Sequence, residues 1–119
     1  MPAIGLLISR DLFFASKVTG TAQALGLSVR TIGSPDQLQT AKEEELTLVI
    51  LDLDCPGVTP AEVMAALPSG KTISTIAFGP HVHEDRLAAA RSAGFEQVLP
   101  RSKFSAGLVD LLNAAFHGE

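Results

Sequence analysis

The stretch Leu46–Gly57, LTLVILDLDCPG, ends an apolar, β-branched run in Asp52 and Asp54, followed by Cys55, Pro56 and Gly57. A run of this length reads as a strand buried on both faces. A carboxylate at its carboxyl end sits where open α/β sheets keep their functional sites. Such a carboxylate can attack an electrophile, hold a cation or lock a basic side chain, and its neighbours decide which. Other chemistry-bearing residues fall in three loops: Ser9-Arg10-Asp11, His81 with His83, and Arg101-Ser102-Lys103. His81 and His83 are an H-x-H pair without a third ligand at diagnostic spacing, so they read as loop and first-turn residues and not as a metal site. Cys55 beside Asp52 and Asp54 faces negative charge, which disfavours a thiolate, and it reads as a small packed residue. No G-x-x-x-x-G-K-[ST] or G-x-G-x-x-G loop is present to cradle a nucleotide. Neither Ser9 nor Ser102 lies in a nucleophile motif with a partner histidine.

The elements that must position these residues alternate strand and helix. Ala3–Ile8 reads as a first strand, and Asp11 caps a helix to about Leu25, ended by Gly26. Leu27–Ile32 is a second strand. Ser34-Pro35-Asp36-Gln37 starts a helix to about Glu44, by cap, first-turn proline and glutamine three residues on. The central strand covers Leu46–Asp52. Thr59-Pro60-Ala61-Glu62 repeats the capping pattern for a helix to about Leu67, and Thr72–Phe78 is a fourth strand. A helix from about His83 to Ala93 stops at Gly94, Gln97–Pro100 is a fifth strand, and a last helix runs from about Ser105 to Phe116. Crossovers of this length make the strands parallel and the connections right-handed. The expected fold class is α/β: a doubly wound (βα)5 flavodoxin-like fold, five-stranded and parallel, strand order 2-1-3-4-5.

The chain has 119 residues, so residues 1–119 are expected to form a single domain. At 46% hydrophobic residues it has more apolar surface than a monomer needs, which points to a self-association face and a homodimer. The net charge of -4 supplies no basic patch for nucleic acid or anionic lipid, so neither is an expected partner. One cysteine fits a reducing cytoplasm. With no leader pattern and no apolar run of spanning length, the expected location is cytoplasmic, without membrane insertion.

Three segments, in this order and spacing, resemble the receiver domains of response regulators, the CheY-like family. They are Asp52-x-x-x-Pro56-Gly57, then Ala90–Phe95 (ARSAGF), then Leu99–Phe104 (LPRSKF). The resemblance covers nearly the whole chain. It implies that Asp52 is the phosphoacceptor-equivalent residue. Four further site positions are altered. The Mg²⁺-binding acidic pair after the first strand falls on Ser9 and Arg10. The phosphate-binding hydroxyl after the fourth strand falls on Gly79. The conserved lysine after the fifth falls on Arg101, with Ser102 where receivers have proline.

A pocket of Asp52, Arg10 and Arg101 opposes a divalent cation and favours an Asp52–arginine ion pair, since a guanidinium stays charged and its fork suits a carboxylate. The resemblance therefore implies a divergent pseudo-receiver in two-component signal transduction. Such a module is not an enzyme, needs no cofactor and acts by protein–protein interaction on a partner in trans, since no output domain is attached. The expected surface is the helix from His83, the strand Gln97–Pro100 and the last helix. The alternative is a phosphoacceptor response regulator, with Asp52 as its phosphorylation site and an atypical Mg²⁺ site. A one-residue slip of the first strand then brings Asp11 together with Asp54 as a weak cation site. The plainer reading makes Asp11 a helix cap and Asp54 a turn residue. A third reading is a small metal-assisted enzyme on the same fold.

Overall fold

The computed structural model describes residues 3–41, 45–68 and 72–117. Five parallel strands, β1 (Ala3–Ile8), β2 (Val29–Ile32), β3 (Glu45–Asp52), β4 (Ser74–Gly79) and β5 (Gln97–Pro100), form one sheet in the order β2-β1-β3-β4-β5. This is the doubly wound α/β architecture expected from the sequence. The helices are α1 (Leu12–Ala24), α2 (Pro60–Ala66), α3 (Glu84–Ala93), α4 (Arg101–Ala106) and α5 (Leu108–His117), with a 3-10 helix at Pro35–Ala41.

Side-chain alternation along the strands divides the core in two. Leu6, Ile8, Val49, Leu51 and Ala77 point to the layer that holds Leu38, Val63, Leu87 and Ala90, on the 3-10 helix, α2 and α3. Leu7, Leu48, Ile50, Ile76 and Phe78 point to the other layer, against Ala15, Val18 and Ala22 of α1 and Phe104, Leu108 and Leu112 of α4 and α5. Central β3 is buried from Leu48 to Asp52, because helices cover both its faces.

Local chemistry sets the boundaries. Asp11 caps α1 by accepting from the Phe14 N–H. Thr59 and Glu62 close a reciprocal capping box at α2, with Pro60 at the first helical position. Gly94 ends α3 at φ 104°, a left-handed conformation that a Cβ would strain.

β2 and β4 start two residues later than the expected Leu27 and Thr72, and two helical elements differ more deeply from expectation. The helix expected from Ser34 is a 3-10 helix over Pro35–Ala41, and the stretch 42–44 lies outside the described residues. Ser34 Oγ accepts from Asp36 N and the Gln37 side chain accepts from Gly33 N, so the capping residues close tight local turns. Such turns mark a helical start without choosing the i+4 ladder over the i+3 one. The last helix begins at Arg101, not Ser105, and breaks at Gly107 into α4 and α5. Pro100, with φ -59° and extended ψ, forms the boundary, and no side chain caps α4. Arg101 is therefore the first residue of a helix, not part of a loop.

Candidate functional site at the carboxyl edge of the sheet

Alternation decides which side chains meet at the strand ends. Asp52 follows Ile50 by two residues and so faces the α1 layer, as does Ser9, two residues after Leu7. The two meet. Ser9 Oγ donates to Asp52 Oδ2 at 2.8 Å, and both residues are buried. Asp52 Oδ1 accepts from the Asp54 N–H at 2.9 Å, and the Asp52 carbonyl accepts from Cys55 N, also at 2.9 Å. Asp52 thus anchors the turn after β3 through its own carboxylate. Each of its oxygens has a donor before any arginine is considered.

The arginine near Asp52 is Arg101. Its Nη2 lies 3.6 Å from Asp52 Oδ1 and 3.9 Å from Asp54 Oδ2, and its Nη1 lies 3.5 Å from Asp11 Oδ2. One guanidinium stands among three carboxylates. Beneath it lie aromatic rings, with Arg101 Cζ 4.7 Å from the Phe14 centroid and 5.3 Å from that of Phe78. Phe78 in turn stacks on Phe104 at 4.5 Å. The quadrupoles of Phe14 and Phe78 attract the cation from below while the carboxylates attract it from the side.

Arg10 is not in this pocket, which corrects the expectation that it would join Arg101 around Asp52. It has the parity of Ile8, so alternation carried past the end of β1 sends it to the opposite layer. There it lies exposed against Gly33, its Nε 3.7 Å from where a Cβ on that glycine would stand. It also neighbours the buried Cys55 thiol. Burial first, then the Asp52 carboxylate, push that thiol above its ordinary pKa, and Arg10 pulls it down.

Gly79 belongs to the same layer as Arg10. A Cβ there would lie 3.2 Å from Leu53 Cβ, so Leu53 would have to give by a few tenths of an ångström to admit a Ser or Thr. Asp11 combines its capping bond with the contact to Arg101. Asp54 is shared more widely: Arg86 of α3 binds its Oδ1 directly, and His83 Nδ1 lies 3.4 Å from the same oxygen. Ser102 is exposed. His81 lines a cleft of about 410 Å³ with Phe14, Pro80, Pro100, Arg101, Ser102 and Ser105. Among the described residues no cluster of three or more His, Cys, Asp or Glu side chains is arranged to hold a metal ion, and no helix is long and apolar enough to cross a membrane.

The aromatic floor of Phe14, Phe78 and Phe104, the Leu53–Gly79 contact and the Arg86–Asp54 pair were not singled out from the sequence. Strand parity is the signal that could have found the first two. Nothing in the spacing alone points to the third.

No protein-family model and no curated protein matches the chain. Solved structures do. A putative response regulator from Chloroflexus aurantiacus superposes with a TM-score of 0.79 at 19% identity, covering 98% of this chain and 99% of that one. A phosphorylated cyanobacterial phytochrome response regulator gives 0.78 at 13% identity, over 100% of this chain and 97% of that one. The receiver domain of a sensor histidine kinase from Pseudomonas aeruginosa, with a magnesium ion coordinated in its active-site cleft, gives 0.78 at 16%, over 98% and 99%. The chain is thus similar along its whole length to response-regulator receiver domains, and its fold is theirs.

Proposed function

We propose that this chain is a signalling module of receiver fold that acts by protein contact and is not switched by Mg²⁺-dependent phosphorylation. The observation that carries this reading is the Arg101 guanidinium, held within 4 Å of Asp11, Asp52 and Asp54. Receiver phosphorylation needs a divalent cation to neutralise the transferring phosphoryl group. Here a fixed organic cation stands among those carboxylates. Opposite unit charges about 4 Å apart attract by roughly 4 kcal/mol at an effective dielectric near 20. A divalent ion would have to overcome repulsion from Arg101 and separate the carboxylates from it. The donor set therefore does not fit Mg²⁺, and no step is routed through the metal.

Two further features support the reading. Asp52 is spent on Ser9 and the turn, so an incoming phosphoryl group would have to break a buried hydrogen bond. Gly79 offers no hydroxyl, and Leu53 crowds the place a Cβ would take there. On this reading Asp52 is a structural residue, the module is not an enzyme, and its output passes to a protein partner in trans.

Incubation with acetyl phosphate and Mg²⁺, followed by phosphate-affinity electrophoresis, tests the proposal. An unshifted band is expected. A shifted band that Asp52→Ala abolishes would instead establish Asp52 as a phosphorylation site. Titration with beryllofluoride and Mg²⁺, followed by amide NMR, provides the second readout, with no saturable change expected around Asp52.

A further inference from the structure

Arg101, the side chain that stands among Asp11, Asp52 and Asp54, also forms a wall of the cleft of about 410 Å³. Its contacts to the three carboxylates measure 3.5, 3.6 and 3.9 Å, whereas a charge-assisted N–H···O bond closes to about 2.7–2.9 Å. The carboxylates therefore attract the guanidinium without saturating its N–H donors. On the same helix, Ser102 and Ser105 lie three residues apart and share one face, which lines the cleft. Lys17 of α1 donates to the Ser105 oxygen, which leaves the Ser105 O–H free to donate. Among the described residues Lys17 pairs with no carboxylate. No acidic side chain lines the cleft, and its apolar walls are the rigid rings of Phe14, Pro80 and Pro100. Small-ligand sites have this composition, mostly apolar with a few convergent polar groups, and volumes of about 300–1,000 Å³.

We propose that this cleft binds a small aromatic carboxylate, its ring among Phe14, Pro80 and Pro100 and its charge on Arg101, Lys17 and the Ser105 hydroxyl. Two cationic side chains at the cleft, with no acid in its lining, select an anion over a cation. Three ring walls select a flat apolar body over a bare phosphate or a sugar. For a ligand of this size in an open cleft, the dissociation constant is on the order of 0.1–1 mM. The inference deepens the function proposed above, because it supplies the module with a non-covalent input. Asp54 carries the consequence onward. It contacts Arg101 through Oδ2 and Arg86 of α3 through Oδ1, so a ligand that draws Arg101 towards the cleft loosens a bridge between α4 and α3.

Titration of the full chain with naphthoate, followed by amide NMR without Mg²⁺ or acetyl phosphate, tests the proposal. Saturable shifts are expected at Phe14, His81, Ser102 and Ser105, with smaller ones at Asp54 and Arg86. Naphthamide keeps the ring without the charge, and acetate keeps the charge without the ring. Each should bind weaker by roughly tenfold or more. Lys17→Met, at an exposed position, should weaken naphthoate binding by about threefold or more. Ser105→Trp fills the cleft and should abolish saturation, with the fold of both variants checked by circular dichroism. No saturable shift up to about 10 mM naphthoate overturns the proposal. So do equal binding of naphthamide, unchanged binding to Lys17→Met, and saturable shifts confined to residues outside the cleft. Cleft shifts with none at Asp54 or Arg86 overturn its role as an input. The acetyl phosphate experiment reads Asp52 and this one reads the cleft, so each reading can fail without the other.

Discussion

Arg101→Met removes the guanidinium charge but keeps a flexible stem over Phe14 and Phe78, so it isolates the ion-pair contribution from packing. Breaking a buried pair by deleting one partner costs about 3–5 kcal/mol, because the remaining charge is stranded. An exposed pair contributes only about 0–1 kcal/mol. This cluster lies between those limits. The Asp52 side chain is 3% exposed, whereas those of Arg101, Asp54 and Asp11 are 30%, 33% and 41% exposed. Asp52 keeps Ser9 and the Asp54 N–H after the substitution, which limits the damage. The expected loss is about 2 kcal/mol, weighted towards the buried carboxylate. For a chain of this length that lowers Tm by roughly 6–12 °C. The assay is thermal and urea unfolding of wild type, Arg101→Met, Asp52→Asn and the double variant. A coupling of about 1 kcal/mol or more is expected between Arg101 and Asp52, and a smaller one in the matching cycle with Asp11→Asn. If Arg101→Met melts within about 2 °C of wild type and the Asp52 cycle shows no coupling, the cage contributes nothing to stability and the reasoning fails.

Three further outcomes are expected. The Cys55 thiol is pushed above its ordinary value of 9.0, by burial first and the Asp52 carboxylate second. The folded state therefore holds its proton to higher pH than the unfolded chain does. The corresponding stability is complete below about pH 9 and declines as pH rises further. Urea unfolding from pH 7 to 10.5 should show that decline in wild type, and Cys55→Ala should flatten it. Gly79→Thr drives a Cβ to within 3.2 Å of Leu53 Cβ, and the overpacking should cost about 1–3 kcal/mol. Unchanged stability in chemical denaturation would show that Leu53 yields the space freely. Thr59→Ala removes the hydroxyl that accepts from Glu62 N and donates to Glu62 Oε1, leaving the backbone N–H of residue 59 on Glu62, with an expected loss of about 1 kcal/mol by the same measurement.

Much of the architecture was legible because local signals agreed with one another. The spans Ala3–Ile8 and Gln97–Pro100 match their strands, and Asp11, Thr59 and Gly94 stand at the helix ends their chemistry suits. The helix type after Ser34 is not legible, because cap, proline and glutamine serve a 3-10 turn as well as an α-helix. The start of the last helix is not legible, because Arg101-Ser102-Lys103 looks like a basic loop, whereas in the fold Phe104 of that turn packs against Phe14 and Phe78.

At the site, the sequence by itself determined the position of Asp52 at the end of a buried strand and the residue types available around it. It could count charges but not direct them. Ser9 and Arg10 are adjacent in the chain, yet strand alternation sends Ser9 to Asp52 and Arg10 to Gly33 and Cys55 on the other layer. Asp11 caps α1, Asp54 lies in the turn after β3 and Arg101 opens α4, and no spacing rule relates them. Only the closing of β1, β3 and β5 into one sheet, over a floor of phenylalanine rings from α1, β4 and α4, brings the three carboxylates around one guanidinium. Residue identity is a local property, whereas the partner of a charge depends on which strand ends share an edge and which face each side chain takes.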